Sequence, residues 1–313
     1  MLVFIILGII AGITTFTMTT INSRLRTYVQ SPYVSSLISF CIGTILLGAI
    51  QLCGGNSLIP TGEQMIATPW WTYIGGFLGM VVMTAYILLF PVIGGVQTVA
   101  MPILGQIIMS MLIDNFGWFG ANKQPLNIIN IMGVIILIMG VLVLVVLPSY
   151  AAQRKSKSEK PEKKKQVWIW QLAGIAAGML LGIQIAVNGN LGSRLQSPLQ
   201  ASFISFGIGA IILAVVVSIQ HSWKNIKLIR QQKAPWWVLI GGIFGAVYIF
   251  LSAFLAPQIG TGTVVVLALI GQMAASLCVD QFGLLGAVKR RVSVIQIIGL
   301  IIMLAGVGMI KIL

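Results

Sequence analysis

Residues 30–43 read Gln-Ser-Pro-Tyr-Val-Ser-Ser-Leu-Ile-Ser-Phe-Cys-Ile-Gly, and residues 196–209 read Gln-Ser-Pro-Leu-Gln-Ala-Ser-Phe-Ile-Ser-Phe-Gly-Ile-Gly. The second stretch lies 166 positions after the first, and the same shift carries much of the chain onto itself. Asn22 falls on Asn188, Pro69-Trp70-Trp71 on Pro235-Trp236-Trp237, and Gly75, Gly76 and Gly79 on Gly241, Gly242 and Gly245. Pro91 and Gly94 fall on Pro257 and Gly260, Gly105-Gln106 on Gly271-Gln272, Asp114 on Asp280, and Phe116-Gly117 on Phe282-Gly283. Chance likeness between two apolar sequences would match aliphatic residues, not Pro, Trp, Gln and Asp. A gapless register over about 140 residues is an internal duplication.

What is duplicated is apolar. Of 313 residues 58% are hydrophobic and 8% charged, against about 25% charged in a soluble domain. A soluble globule could not cover its surface with so few charges, and a disordered chain has the opposite composition. Three cysteines in a chain of this length exclude a disulfide scaffold. Ten apolar runs stand out, at about 1–21, 33–52, 70–90, 92–113, 126–147, 168–187, 199–219, 236–256, 260–279 and 293–312. Each has the length of a spanning helix. The runs are continuously apolar rather than alternating, so they are helices rather than barrel strands. The expected fold is an all-α integral membrane protein of ten transmembrane helices.

Residues 148–166 break the pattern with seven Lys and Arg beside Glu159 and Glu162. They read as a basic, solvated linker between a first five-helix repeat, 1–147, and a second, 167–313. Five is odd, so the second repeat enters the membrane from the opposite side, giving an inverted repeat. With the linker in the cytoplasm, 16 Lys and Arg lie inside and three (Lys123, Arg194 and Lys311) outside. That bias places both termini outside the cytoplasm of a multi-pass cell-membrane protein. No positive n-region or small-residue cleavage site opens the chain, so no cleaved signal peptide is expected. The net charge of +14 is read as membrane orientation, not as nucleic-acid binding.

Soluble-enzyme chemistry is missing from the pattern. There is no phosphate-binding loop, no intramembrane carboxylate pair and no metal-ligand spacing. Neither a cofactor nor a metal is expected. His221 reads as a solvated loop residue, and Cys41, Cys53 and Cys278 as packing residues.

The stretch Gly271-Gln272-Met-Ala-Ala-Ser-Leu-Cys-Val-Asp280-Gln-Phe282-Gly283 and its copy from Gly105-Gln106 to Asp114-Asn-Phe116-Gly117 resemble a signature of the YdcZ-type branch of the drug/metabolite transporter superfamily. The Asn-x-x-Leu…Ser-Pro segment after the first span of each half and the Pro-Trp-Trp openings are similar too. The resemblance covers nearly the whole chain except the linker. It implies ten helices arranged as two inverted five-helix bundles and secondary transport of a small molecule, and it names no substrate. The family pattern resembles Gln-x-x-x-Asn at the end of the first span. The second half keeps it as Gln184 and Asn188, whereas the first half has Met18 and Asn22.

The candidate substrate-binding residues are Gln184, Asn188, Asn22, Gln106 and Gln272. Residues 184 and 188 are one turn apart and share a helix face. Each amide has a second reading as interhelical packing glue. Gln97 and Tyr86 are weaker candidates, because their repeat mates are Thr263 and Ser252. Asp114 and Asp280 close their spans and read either as a gate or proton-coupling carboxylate or as caps of their own Phe-Gly turns. Gly8-x-x-x-Gly12, Gly174-x-x-x-Gly178 and Gly75-x-x-x-Gly79 are faces for close helix approach.

The resulting expectation is a secondary transporter working by alternating access, in which one bundle rocks against the other. Its expected partners are a small-molecule solute, membrane lipid and a second copy of the chain in a homodimer, with no nucleic acid. The alternatives are a lipid flippase or uncoupled facilitator, and an intramembrane enzyme or assembly factor.

Overall fold

The computed structural model describes residues 2–125, 127–155, 167–286 and 294–312. Eleven helices are found among them: α1 Leu2–Val29, α2 Pro32–Cys53, α3 Gly62–Ala67, α4 Gly75–Phe116, α5 Ile128–Lys155, α6 Val167–Arg194, α7 Pro198–Ile219, α8 Lys227–Gln231, α9 Gly241–Ile259, α10 Thr261–Phe282 and α11 Val294–Ile312. There is no strand among the described residues. Among the described residues seven helical stretches are long and apolar enough to cross a bilayer, and Met101–Phe116 and Ile128–Gly140 are shorter apolar pieces.

The Gln-Ser-Pro motif turns one helix into the next. Gln30 and Gln196 take left-handed φ values of 55° and 53°, which ends α1 and stops the chain after α6. Ser31 and Ser197 then cap α2 and α7 by accepting from the amides of Val34 (3.4 Å) and Gln200 (3.1 Å). Pro32 and Pro198 occupy the first helical position, where a missing N–H costs nothing.

Several helices outrun their apolar stretches. α1 continues past residue 21 through Asn22, Arg24 and Arg26, and α6 continues to Arg194. Asn22, Arg26 and Arg194 bond there to Ser39, Ile87 and Ala67 of other helices, and Asn188 packs on Gly75, so polarity does not end the helix. α5 runs to Lys155, into the expected linker; the rest of that linker, 156–166, lies outside the described residues.

The expected interruption between the third and fourth spans appears in one half only. In the second half Gly260, at φ 83°, separates α9 from α10. In the first half α4 is assigned as helix throughout its 42 residues, a contour of about 63 Å at 1.5 Å per residue. Its two ends nevertheless lie antiparallel. Asn188, Gln184 and Gly174 of α6 meet Gly75, Gly79 and Leu89, whereas Gly174, Gly178 and Gly182 meet Met101, Pro102 and Met109. The order reverses, so α4 presents two arms to α6.

The halves interlock instead of forming separate five-helix bundles, which corrects the arrangement implied by the resemblance. α1 packs on α9 and α10 of the other half, α6 packs on α4, α2 on α7, and α5 on α11. The α1 and α6 contacts are related by the shift, whereas α2 with α7 and α5 with α11 each pair a helix with its own repeat mate. A Cβ on Gly12 would overlap the carbonyl of Ala268, and one on Gly178 the carbonyl of Pro102; Gly105 and Gly271 stand likewise against the carbonyls of Ile175 and Ile9. With lipid as solvent no hydrophobic force drives helices together, so backbone approach of this kind holds the fold. Phe40 and its mate Phe206 stack on each other at 4.7 Å. A residue that contacts its own repeat mate lies on the pseudo-two-fold axis.

Candidate functional site

At the end of the molecule where α4 finishes, Asp114 is 7% exposed, and its carboxylate accepts from the backbone amides of Thr261 (3.2 Å) and Gly262 (2.6 Å). It therefore caps α10, a helix of the other half, and not its own Phe116-Gly117 turn. There Gly117, at φ 68°, closes the helix by a backbone bond to Ile113. Asn122 adds a bond from Nδ2 to the carbonyl of Pro257 at 3.3 Å. The side chains of Asp280 and Gln97 lie outside the described residues.

The Asp114 contact sets the second arm of α4 antiparallel to α10. Gln106 lies eight residues back from Asp114, and Gln272 ten residues beyond Gly262. At 1.5 Å per residue the two glutamines lie within about 3 Å of one level, about 12 Å in from Asp114 and near the middle of a hydrocarbon layer of about 30 Å. Gln106 is 1% and Gln272 9% exposed, and the Nε2 of each is buried without a hydrogen-bond partner. Gly182 of α6 stands against the Gln106 carbonyl, so Gln184 lies close to the same layer. The buried, unpartnered hydroxyl of Tyr248 belongs to the same core, with Ile107, Leu181 and Ile185, and Tyr86 packs against it.

The asparagines lie elsewhere. Asn188 is fully buried over Gly75, about a turn beyond Gln184, and neither of its amide atoms has a partner. Asn22 lies over Gly241 at the opposite end. There its Nδ2 donates to Ser39 Oγ at 3.1 Å, and Ser35 Oγ donates to the Asn22 carbonyl at 2.7 Å. In the second half Ala201 replaces Ser35, and the Ser205 hydroxyl is buried without a partner. The structure thus gathers Gln106, Gln272 and Gln184 towards one level and leaves Asn188 and Asn22 towards the two ends. It also joins two sequence features read separately, since Gly75 and Gly79 are the surface on which Asn188 and Gln184 rest. Tyr248 escaped the sequence reading because its mate is Val82, so the repeat gives it no weight. Among the described residues no group of three His, Cys, Asp or Glu is placed to hold a metal.

Comparison with known proteins agrees with the duplication. The family model described as "Putative inner membrane exporter, YdcZ" matches residues 3–143 and again residues 169–309. This chain belongs to that family. The Inner membrane protein YdcZ of Escherichia coli (strain K12) is 28% identical over 132 residues, which are 42% of this chain and 87% of the relative. A single repeat of this chain thus spans most of that relative. A solved crystal structure of 15% sequence identity superposes with a TM-score of 0.63, covering 97% of this chain and 96% of its own. At that identity the likeness extends to the fold. For a YdcZ-family chain the unpartnered amides of the mid-depth layer then become the point of interest.

Proposed function

We propose that this protein is a secondary transporter of the inner membrane, moving a small organic solute without strong net charge by alternating access. Ten spans in two inverted repeats, with both termini outside, would carry the cycle. The family description favours export. The observation that carries this reading is the mid-depth pair Gln106 and Gln272 with Tyr248 of the adjoining core, each with a buried polar atom that has no partner. An unmatched buried polar group costs about 1–3 kcal/mol, and a solute completing these groups accounts for their presence. Uncharged donors and acceptors suit a neutral or amphipathic solute. Asp114, the one carboxylate described in the spans, is taken up by α10 amides.

Because the halves interlock, the moving bodies in this reading are not the repeats. One would combine α1 with α9 and α10, and the other α6 with the two arms of α4. Asp114 bridges them at one end as a gate, and Asp280, its mate in the repeat, is the second candidate for gating or coupling. Gln184, Asn188 and Asn22 would line the approach.

Reconstitution in liposomes with a panel of neutral and zwitterionic solutes, with and without a proton gradient, tests the reading. Saturable flux that Gln106→Leu and Gln272→Leu together abolish is expected. Lipid scrambling without flux of any solute would replace it with the flippase reading.

A further inference from the structure

We infer that Arg26 is a positioning residue of the transport cycle, a latch that holds α1 to the first arm of α4 at the end opposite Asp114. Its Nη1 donates to the main-chain carbonyl of Ile87 at 2.7 Å, and the side chain is half-buried. In a regular helix that carbonyl would accept from the amide four residues on. That residue is Pro91, which has no N–H. Pro91 therefore transfers the acceptor from its own helix to a neighbour. The bond can then be made and broken without unwinding α4, which an intrahelical bond does not permit.

The latch breaks the repeat. The mate of Arg26 is Gly192, which packs against Pro198. At the other end Asp114 and Asn122 do the joining, with a carboxylate and an amide. The two ends are thus closed by different chemistry, and each closure links the α1, α9 and α10 group to the α4 and α6 group. Arg24, one turn from Tyr28, lies over its ring at 5.7 Å instead and does not bridge these groups. The role of Arg26 rests on the transport reading above, because a latch matters only if the two groups part.

The test needs no substrate. In a background with Cys41, Cys53 and Cys278 changed to serine, Thr84→Cys places a thiol at a buried position one turn from Ile87. Its alkylation by a membrane-impermeant maleimide is followed separately from each face of oriented vesicles. Losing a charge-assisted bond that favours the closed end is expected to raise the labelling rate of Arg26→Gln about tenfold from the Arg26 face alone. Arg26→Lys, which still donates, should stay near the parent rate. Pro91→Ala returns an intrahelical donor to Ile87 and should also speed labelling, and adding Arg26→Gln to it should add nothing. The inference is overturned if Arg26→Gln labels at the parent rate. It is also overturned if labelling rises equally from both faces with a lowered Tm, or if the two changes multiply. Should Arg26→Gln fail to fold, the Lys and Pro91→Ala arms decide alone. Labelling as expected without flux of any solute would leave the latch standing and overturn the transport reading.

Discussion

Gln106 and Gln272 allow function to be separated from packing by the sign of a stability change. Each buries an amide nitrogen with no acceptor, so Leu at either position removes an unsatisfied group of similar size. If the amides serve a solute, Gln106→Leu and Gln272→Leu should hold or raise the Tm in detergent while solute flux falls at least about tenfold. If they are glue, the Tm falls by the equivalent of about 1–3 kcal/mol. Gln184 has an internal reference in Met18, which meets Gly245 as Gln184 meets Gly79. Gln184→Met is therefore expected to melt with the parent and to change flux or selectivity, and a large loss of stability would make that amide structural. Gln106 and Gln272 were legible in the sequence because the repeat preserves them, and Gln184 because the Gln-x-x-x-Asn pattern marks it although its mate is Met18. Tyr248 and the partner of Asp114 were not. The first is a departure from the repeat, and the second is a contact between residues 147 and 148 positions apart that spacing does not encode.

Among the elements, glycine does work that no hydropathy profile records. Gly12 faces the carbonyl of Ala268, a main-chain atom that cannot turn aside, whereas Gly62 has nothing within 4 Å of a Cβ. Gly12→Ala should lower folded yield and Tm clearly, by the 1–3 kcal/mol or so typical of overpacking, and Gly62→Ala should be neutral. Equal melting of the two would mean that α1 and α10 are not held at this distance. Asp114→Ala removes the cap of α10 and should cost about 1–2 kcal/mol, with Asp114→Asn milder because it keeps one acceptor; thermal melts of the pair check this. The spaced glycines could be read as close-packing faces from sequence. The helix ends could not, because α1 and α6 run on through polar residues of which Asn22, Arg26 and Arg194 bond to other helices and Asn188 packs on Gly75 of α4. The fold-back of α4 is likewise written in which residues α6 meets, not in a loss of helical character at Pro91 and Gly94.

For the molecule as a whole, the duplication told that two like halves exist but not that they interlock, since a shift in register says nothing about which half a surface faces. Orientation rests on charge. The ten-span reading assigns 16 of 19 Lys and Arg to the linker side, so a reporter fused after Leu313 should behave as extracytoplasmic and one inserted near Lys160 as cytoplasmic. The reverse result would invert the membrane placement. The interlocking leads to a stronger expectation. Glycine faces on α1, α4, α6 and α10 each meet a backbone of the opposite half, and Phe40 requires Phe206. A half expressed alone would present these close-packing faces to lipid tails, which cannot enter them as a backbone does. Residues 1–155 or 167–313 produced singly should therefore be degraded or aggregate, while the two co-expressed without the intervening segment should assemble and co-purify. Size-exclusion chromatography of each product in mild detergent reads this directly. A monodisperse, helical single half would show that each repeat holds its own fold, and that the cross-contacts are a docking of finished bundles.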